Sequence, residues 1–175
     1  MVPVVETERL NLRPMVREDF PAYAAIWREP EVVRFTGGAV RSESDCWGRF
    51  LKIAGSWVME GFGQWAVTRK SDGAFIGQTG FFNALRGIGA DFDAAPEAGW
   101  VIATAFHGQG YGGEAVTAAH RWFDAQPFGG LSHAMISDDH AVSQRLAENL
   151  GYRFWRRAEL ERDDWVKLLV RDVRP

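Results

Sequence analysis

Residues 106–115 read FHGQGYGGEA, with four glycines, Gly108, Gly110, Gly112 and Gly113, inside six residues. Glycine loses more backbone entropy on folding than any other residue, so such a cluster is kept where bare backbone must come close to something. The segment before it, EAGWVIATAF (97–106), reads as a strand, and EAVTAAHRWFDA (114–125) after it as a helix. Strand, glycine loop and helix entrance together gather free N–H groups and the positive end of a helix dipole. That combination holds anions, phosphate above all. The chain is therefore expected to fold into an α/β mixture with a candidate anion site at this junction, the alternative being a glycine-rich loop with no ligand.

The rest of the chain fills in that frame. RLNLR (9–13) alternates apolar and polar and stops at Pro14, as a first strand does. EDFPAYAAIW (18–27) is a short helix that tolerates Pro21 in its first turn. REPEVVRFTGGAVR (28–41) is loop-like. Ser42 opens a long helix, Gly61 closes it, and Trp47, Phe50, Leu51, Ala54 and Val58 recur at helical spacing as its apolar face. GQWAVTR (63–69) and AFIGQTGFF (74–82) flank KSDG, a link so short that the two strands must be antiparallel. A loop around RGIGADFDAAP leads to the strand at 97. LSHAMIS (131–137) is a strand and AVSQRLAENL (141–150) a helix, capped by Asp138 or Asp139 and ended by Gly151. YRFWRRAEL and DWVKLLVRD close the chain as a hairpin with a tight polar turn. The expected order is β-α-α-β-β-β-α-β-α-β-β.

The 175 residues suit one domain, residues 1–175, able to bury roughly 70% of the unfolded surface. Apolar content of 46% and charged content of 25% are those of an ordinary globular protein. A net charge of −3 argues against general affinity for nucleic acid or membrane surfaces. Cys46 is the only cysteine, so no intrachain disulfide forms and a reducing compartment is expected. The first residues lack the pattern of a secretory signal, and no stretch is apolar enough to span a bilayer, so a cytoplasmic protein is expected. His120 and His133 stand outside any metal-ligand spacing and are expected to be structural or exposed; no metal is expected.

Two readings of the glycines compete. Gly108, Gly110 and Gly113 match G-x-G-x-x-G, and Asp138 or Asp139 follows a later strand where a ribose-binding acid could sit, so an NAD(P)-binding oxidoreductase is one alternative. Against it, only residues 114–175 remain for a second βαβ half, and an antiparallel hairpin lies just upstream. A Walker-type loop is excluded because no Lys-Ser or Lys-Thr follows the glycines.

The second reading is a resemblance. His107-Gly108-Gln109-Gly110-Tyr111-Gly112, followed by Gly113-Glu114-Ala115, resembles the Gln/Arg-x-x-Gly-x-Gly/Ala signature of the GCN5-related N-acetyltransferases (GNAT). ETERLNLRPMVREDF, EAGWVIATAFHGQGYGGEAV and HAVSQRLAENLGYRF, in this order, resemble the branch that acetylates ribosomal-protein N-termini. His107 replaces the usual Gln or Arg, and His140 an Asn that commonly opens the later helix. The resemblance implies a mixed, mostly antiparallel central sheet flanked by helices, and acetyl-CoA as co-substrate. It places the pyrophosphate on His107, Gly108, Gln109, Gly110, Tyr111, Gly112 and Gly113, chiefly on their amides. It assigns the pantetheine and oxyanion contacts to the backbone of Trp100, Val101 and Ile102; His140, where the family has Asn, either bonds CoA or lies in solvent.

Acetyl transfer to an amine needs a neutral amine, donors for the thioester oxygen and a proton for the departing thiolate. Glu97, at the head of the central strand, is the candidate general base through water, or else a solvated strand-end carboxylate. An α-amine has a pKa of about 8 and a lysine of about 10.4, so this weak candidate fits the α-amine better. The tyrosine that serves many relatives as acid falls at Ala147; Ser143 on the same helix is the candidate acid, or an ordinary first-turn serine. Tyr152 is another donor that also suits hairpin packing.

By the same resemblance the two early helices and loop 28–41, with Trp27, Phe35, Trp47 and Trp57, form the acceptor side. The acceptor is then a protein N-terminal α-amine or a small-molecule amine. A non-catalytic acyl-CoA-binding regulator and a homodimer through a sheet edge stay open.

Overall fold

The computed structural model describes residues 1–161 and 164–174. The chain packs as two compact units, Met1–Gly80 with Gly99–His120, and Phe81–Ala98 with Arg121–Pro175.

In the first unit, β1 (Val5–Glu6), β2 (Leu10–Arg13), β3 (Gln64–Arg69) and the start of β4 (Phe75–Phe82) are neighbours, each antiparallel to the next. The KSDG link makes the β3–β4 hairpin as its length demands. Gly73 takes a left-handed φ of 72° there, and Asp72 accepts from Arg69 and from the Ala74 amide. The last residues of β5 (Glu97–Ile102) lie close against β4. A Cβ on Gly77 would stand 2.2 Å from the Val101 carbonyl oxygen, so only glycine fits.

Three helices join β2 to β3: α1 (Phe20–Ile26), the short α2 (Pro30–Val33) and α3 (Glu43–Glu60). A 3₁₀ turn at Arg17–Asp19 precedes α1, where buried Asp19 accepts both arms of the Arg13 guanidinium at 2.7 Å. Ser42 caps α3 by accepting from the Asp45 amide at 3.0 Å, and Gly61 ends it at φ 75°, as expected. The apolar face differs from the expected one. Cys46, Phe50, Ile53 and Trp57 are buried, Trp47 is partly so, while Leu51 and Val58 are exposed at 50% and 84%. Two overlapping apolar stripes exist on this helix, and α1 selects the one carrying the larger rings: Phe20 packs edge-on against Trp47 and Phe50, and Tyr23 against Phe50.

The second unit holds the start of β5, the short α4 (Ala90–Asp93), β6 (Leu131–Ser137), α6 (Ala141–Asn149), β7 (Arg153–Glu161) and β8 (Asp164–Asp172). β6 runs parallel to β5 at Glu97–His133 and antiparallel to β8 along its length; β7 and β8 form the expected hairpin. The polar turn expected between them falls on 162–163, outside the described residues. Phe81 stacks on Phe123 at 3.8 Å, and Phe92, Ala158, Val166 and Leu168 make a second buried cluster. The eight strands hydrogen-bond in the order β1-β2-β3-β4-β5-β6-β8-β7, a mixed and mostly antiparallel sheet. The dinucleotide fold needs an extended parallel sheet, whereas here β1 to β4 pair antiparallel, as do β6, β8 and β7.

Three further expectations are corrected. β1, α2 and α4 are additional elements, each only two to four residues long and so without a readable period. The helix after the glycines, α5 (Tyr111–Asp124), begins three residues early, because Tyr111, Ala115, Val116, Ala119 and Phe123 form one buried stripe. Helix α6 is not capped by Asp138 or Asp139. His140 occupies the cap position without a side-chain bond that caps the helix, Asp138 accepts from Arg157, and Asp139 from the Ser137 hydroxyl. Its other end is as expected: Gly151 at φ 91° lets Tyr152 N–H reach the Ala147 carbonyl and its own N–H reach Glu148.

Candidate active site

The glycine loop is built from both of its neighbours. After β5, a 3₁₀ turn at Thr104–Phe106 leads into His107, whose Nε2–H donates back to the Ile102 carbonyl at 2.7 Å. Gly108 and Gly110 hold φ at 72° and 80°, a left-handed region that a Cβ would strain. Gly110 accepts the Glu114 amide through its carbonyl, which makes it the helix cap and leaves the amides of Tyr111, Gly112 and Gly113 as the first-turn donors. Two glycines thus shape the loop, while the other two keep the first helical turn bare: a Cβ at Gly113 would meet nothing and one at Gly112 only Ile102.

A carboxylate at the fourth helical residue would compete with an incoming anion. Here Glu114 is fully engaged elsewhere: Oε1 accepts from the Thr7 hydroxyl at 2.6 Å and the Arg9 amide at 2.9 Å, and Oε2 from Arg9 Nε at 2.7 Å. Burial pushes its pKa up, but these bonds outweigh it and hold it below the usual glutamate range. Arg9 also donates to the Gln109 carbonyl at 2.9 Å and lies 4.5 Å over the Tyr111 ring. Gln109 Nε2 bonds the Ala105 carbonyl. The loop is therefore preorganised, with donors at its mouth and its nearest negative charge neutralised, as a diphosphate requires. Thr7 and Arg9 were missed by the sequence reading as parts of this loop; the only signal was their place in the first of the three blocks.

Upstream, Trp100, Val101 and Ile102 stay only half-buried although β5 is an interior strand, whereas Glu97 and Ala98 before them are buried. Val101 is one wall of a narrow crevice with Tyr23, Ile26, Trp27, Phe75, Gly77 and Gln78. Burial raises the Tyr23 phenol to about 12, so it stays protonated. Of the four aromatics expected nearby, Trp27 lines this crevice, and Trp47 lines an open hollow of about 490 Å³ with Arg17, Phe20, Pro21, Glu43 and Ser44. Trp57 instead packs at 4.7 Å on Trp65 and donates to the Gln64 carbonyl, and Phe35 lies under Arg34.

In the second unit, Glu97 is 4% exposed and accepts from Arg86 Nε at 2.6 Å and Nη2 at 2.8 Å. Arg86 carried no signal in the sequence, since its loop has no period. Ser143 is buried in the first turn of α6, with Oγ 3.3 Å from His140 Nε2. His140 and Ser143 are thus brought together. Tyr152 bonds the Ser132 hydroxyl at 2.6 Å, and burial raises its pKa, which fits packing. His120 and His133 are buried, and each donates from Nδ1 to a carbonyl, Val116 and Phe92 respectively. Among the described residues no three His, Cys, Asp or Glu gather as a metal ion needs, and no helix is long and apolar enough to cross a membrane.

A loop of bare amides at a helix entrance, after a half-buried interior strand, is the arrangement an anionic cofactor requires. Residues 9–153 match the family model of the acetyltransferase (GNAT) domain, and the chain belongs to that family. A protein of Bordetella pertussis assigned to the GnaT-family acetyltransferases is 29% identical with a TM-score of 0.87, over 97% of this chain and 99% of that one. The acetyltransferase from Agrobacterium tumefaciens str. C58 is 27% identical with a TM-score of 0.80, over 96% and 94%. RimL, a ribosomal L7/L12 α-N-protein acetyltransferase solved with coenzyme A, shares the fold at 11% identity, with a TM-score of 0.76 over 98% of each chain. The protein is an acyltransferase that moves an acetyl group from acetyl-CoA to an amine.

Proposed function

We propose that the acceptor is an α-amine, on a small molecule or at a peptide N-terminus, and that Glu97 and Ser143 handle the two protons. The neutral nitrogen attacks the thioester carbonyl; a C–N bond forms as the C–S bond breaks, one proton leaves nitrogen and one reaches sulfur. Backbone N–H groups around Trp100, Val101 and Ile102 face the carbonyl oxygen as it gains charge, and one such donor contributes about 3 kcal/mol. The amides of Gly108 to Gly113 hold the diphosphate. Glu97 takes the nitrogen's proton through water, and Ser143 gives one to sulfur, resupplied through His140, 3.3 Å away.

The observation that carries the α-amine reading is the Glu97–Arg86 pair. Both carboxylate oxygens already accept from a guanidinium, at 2.6 and 2.8 Å, and that positive partner favours the ionised form over the protonated one a strong base must reach. An α-amine with a pKa of about 8 is already about a tenth neutral at pH 7, whereas a lysine near 10.4 needs far more help. No metal is called for, because chain groups supply every donor and proton carrier, and a chelator should leave the rate unchanged. A single catalytic domain fits as well, since the family match from 9 to 153 runs through both compact units.

Incubation with acetyl-CoA and a panel of free amines, amino acids, peptides with open N-termini and N-blocked lysine peptides tests the reading. Transfer to the α-amines is expected. Transfer to internal lysines alone would overturn it.

A further inference from the structure

We propose that the acceptor amine also carries an oxyanion, a carboxylate or a phosphonate-like group, held by Arg41 and Arg49 beside the Trp27 ring. This rests on the α-amine reading above and names its substrate class: a compact, amino-acid-like small molecule.

The crevice against Val101 has walls of Tyr23, Ile26, Trp27, Phe75, Gly77 and Gln78, with no carboxylate and no cation among them. Trp27 is the wall that connects it to charge. The guanidinium carbons of Arg41 and Arg49 stand 5.1 and 5.6 Å from the Trp27 ring centre. A guanidinium laid on an aromatic ring keeps its in-plane N–H fork available, and that fork matches a planar or tetrahedral oxyanion. Arg41 donates one arm to the Thr36 carbonyl at 2.8 Å, while its buried Nε has no partner.

The local charge is unbalanced. Arg28, Arg41 and Arg49 all act on the buried Cys46, and the carboxylates nearby are Glu43 and Asp45. Glu43 stands 3.7 Å from Arg28, and Asp45 takes the Ser42 hydroxyl at 2.7 Å. Neither carboxylate makes an ion pair with Arg41 or Arg49 among the described residues. Burial first, and the Arg49 charge second, pull Arg41 below the usual guanidinium range, so the two cations are held against their mutual repulsion. An anion bound between them relieves that repulsion, whereas a diamine would add to it. Trp27 shares a wall with Val101 and also lies against both guanidinium groups, so an oxyanion held by them would sit close to an amine attacking at Val101, as in an amino acid.

The test compares four acceptors on the intact enzyme: an amino acid, its carboxamide, the decarboxylated amine and a diamine of similar length. The wild type is expected to prefer the acid over the carboxamide by about tenfold or more in kcat/KM, the worth of one charged hydrogen-bond pair. Arg49→Gln, on the exposed side of α3, should erase that preference by raising KM for the acid, leaving KM for the carboxamide and for acetyl-CoA unchanged. Arg41→Gln should do the same. Because Arg41 also ties down Thr36, Arg49→Gln carries the test if that variant folds poorly. Equal turnover of acid and carboxamide, or an unchanged preference in Arg49→Gln, would overturn the proposal while the α-amine reading stands. A peptide with Asp after its free N-terminus used better than the free amino acid would also overturn it, by moving the oxyanion onto a protein. If no amine is acetylated although acetyl-CoA still raises the melting temperature, the α-amine reading itself fails.

Discussion

The glycine loop of the first unit and the Glu97–Arg86 neighbourhood of the second handle charge in opposite ways. Around the loop, donors are left open. The Tyr111, Gly112 and Gly113 amides have no helical partner, and the one carboxylate nearby, Glu114, is drawn off by Thr7 and Arg9. Around Glu97, a buried carboxylate is held by a guanidinium in two bonds, one to each oxygen. The first arrangement offers backbone donors, as an anion would need. The second fixes a side chain, which the proposed mechanism uses for proton transfer. The proposed assignment makes binding of acetyl-CoA and proton transfer from the acceptor separable by mutation, and that separation is the most useful thing to break.

Gly113→Glu should have the largest effect. A Cβ there meets nothing, and a glutamate in the first helical turn suits the helix dipole, so the melting temperature should hold or rise. The new carboxylate occupies the place of the diphosphate, and affinity for acetyl-CoA should fall by about 100-fold, roughly 2.7 kcal/mol. Glu97→Gln should act the other way. kcat should fall by about 100-fold with KM for acetyl-CoA unchanged, and removal of one partner from the buried pair should cost about 3 kcal/mol of stability by denaturant titration. The double change Glu97→Leu with Arg86→Met should restore most of that stability and none of the activity. Activity returning with the fold would show that Glu97 is only structural.

Arg171→Met separates structure from chemistry in the second unit. Arg171 is 8% exposed and holds Asp124 with two bonds of 2.7 Å. Its loss should cost about 2 kcal/mol of stability while KM for acetyl-CoA stays unchanged. The smallest effect is a pH dependence. Glu114 is held below its unfolded pKa, so the stability it contributes is fully present above about pH 4.3 and drains away as pH falls through its lower folded value. Glu114→Gln should flatten that part of the stability profile, measured by thermal unfolding between neutral and acid pH.

The same contrast explains how much could be read in advance. The loop's course was legible because left-handed turns and a bare helix entrance need glycine, and four glycines in six residues stand out in any sequence. The hairpin at KSDG, β6 at Leu131–Ser137 and the caps at Ser42, Gly61 and Gly151 were legible for a similar reason, since local geometry dictates local residue choice. What escaped depends on partners far apart in the chain. Arg86 meets Glu97 across a loop without a period, and Thr7 and Arg9 reach Glu114 more than 100 residues away. The buried face of α3 escaped too, because Leu51 and Val58 fit a helical stripe as well as Ile53 and Trp57 do, and only the rings of α1 decide between them. The expected aspartate cap of α6 failed because Arg157 and Ser137 engage those side chains first.

The most direct test of the central claim is calorimetric titration of acetyl-CoA into the wild type and Gly113→Glu, with both melting temperatures recorded. An affinity loss of about 100-fold at an unchanged or higher melting temperature is predicted. Equal affinity for the two proteins would contradict the claim that the bare amides of this helix entrance hold the diphosphate.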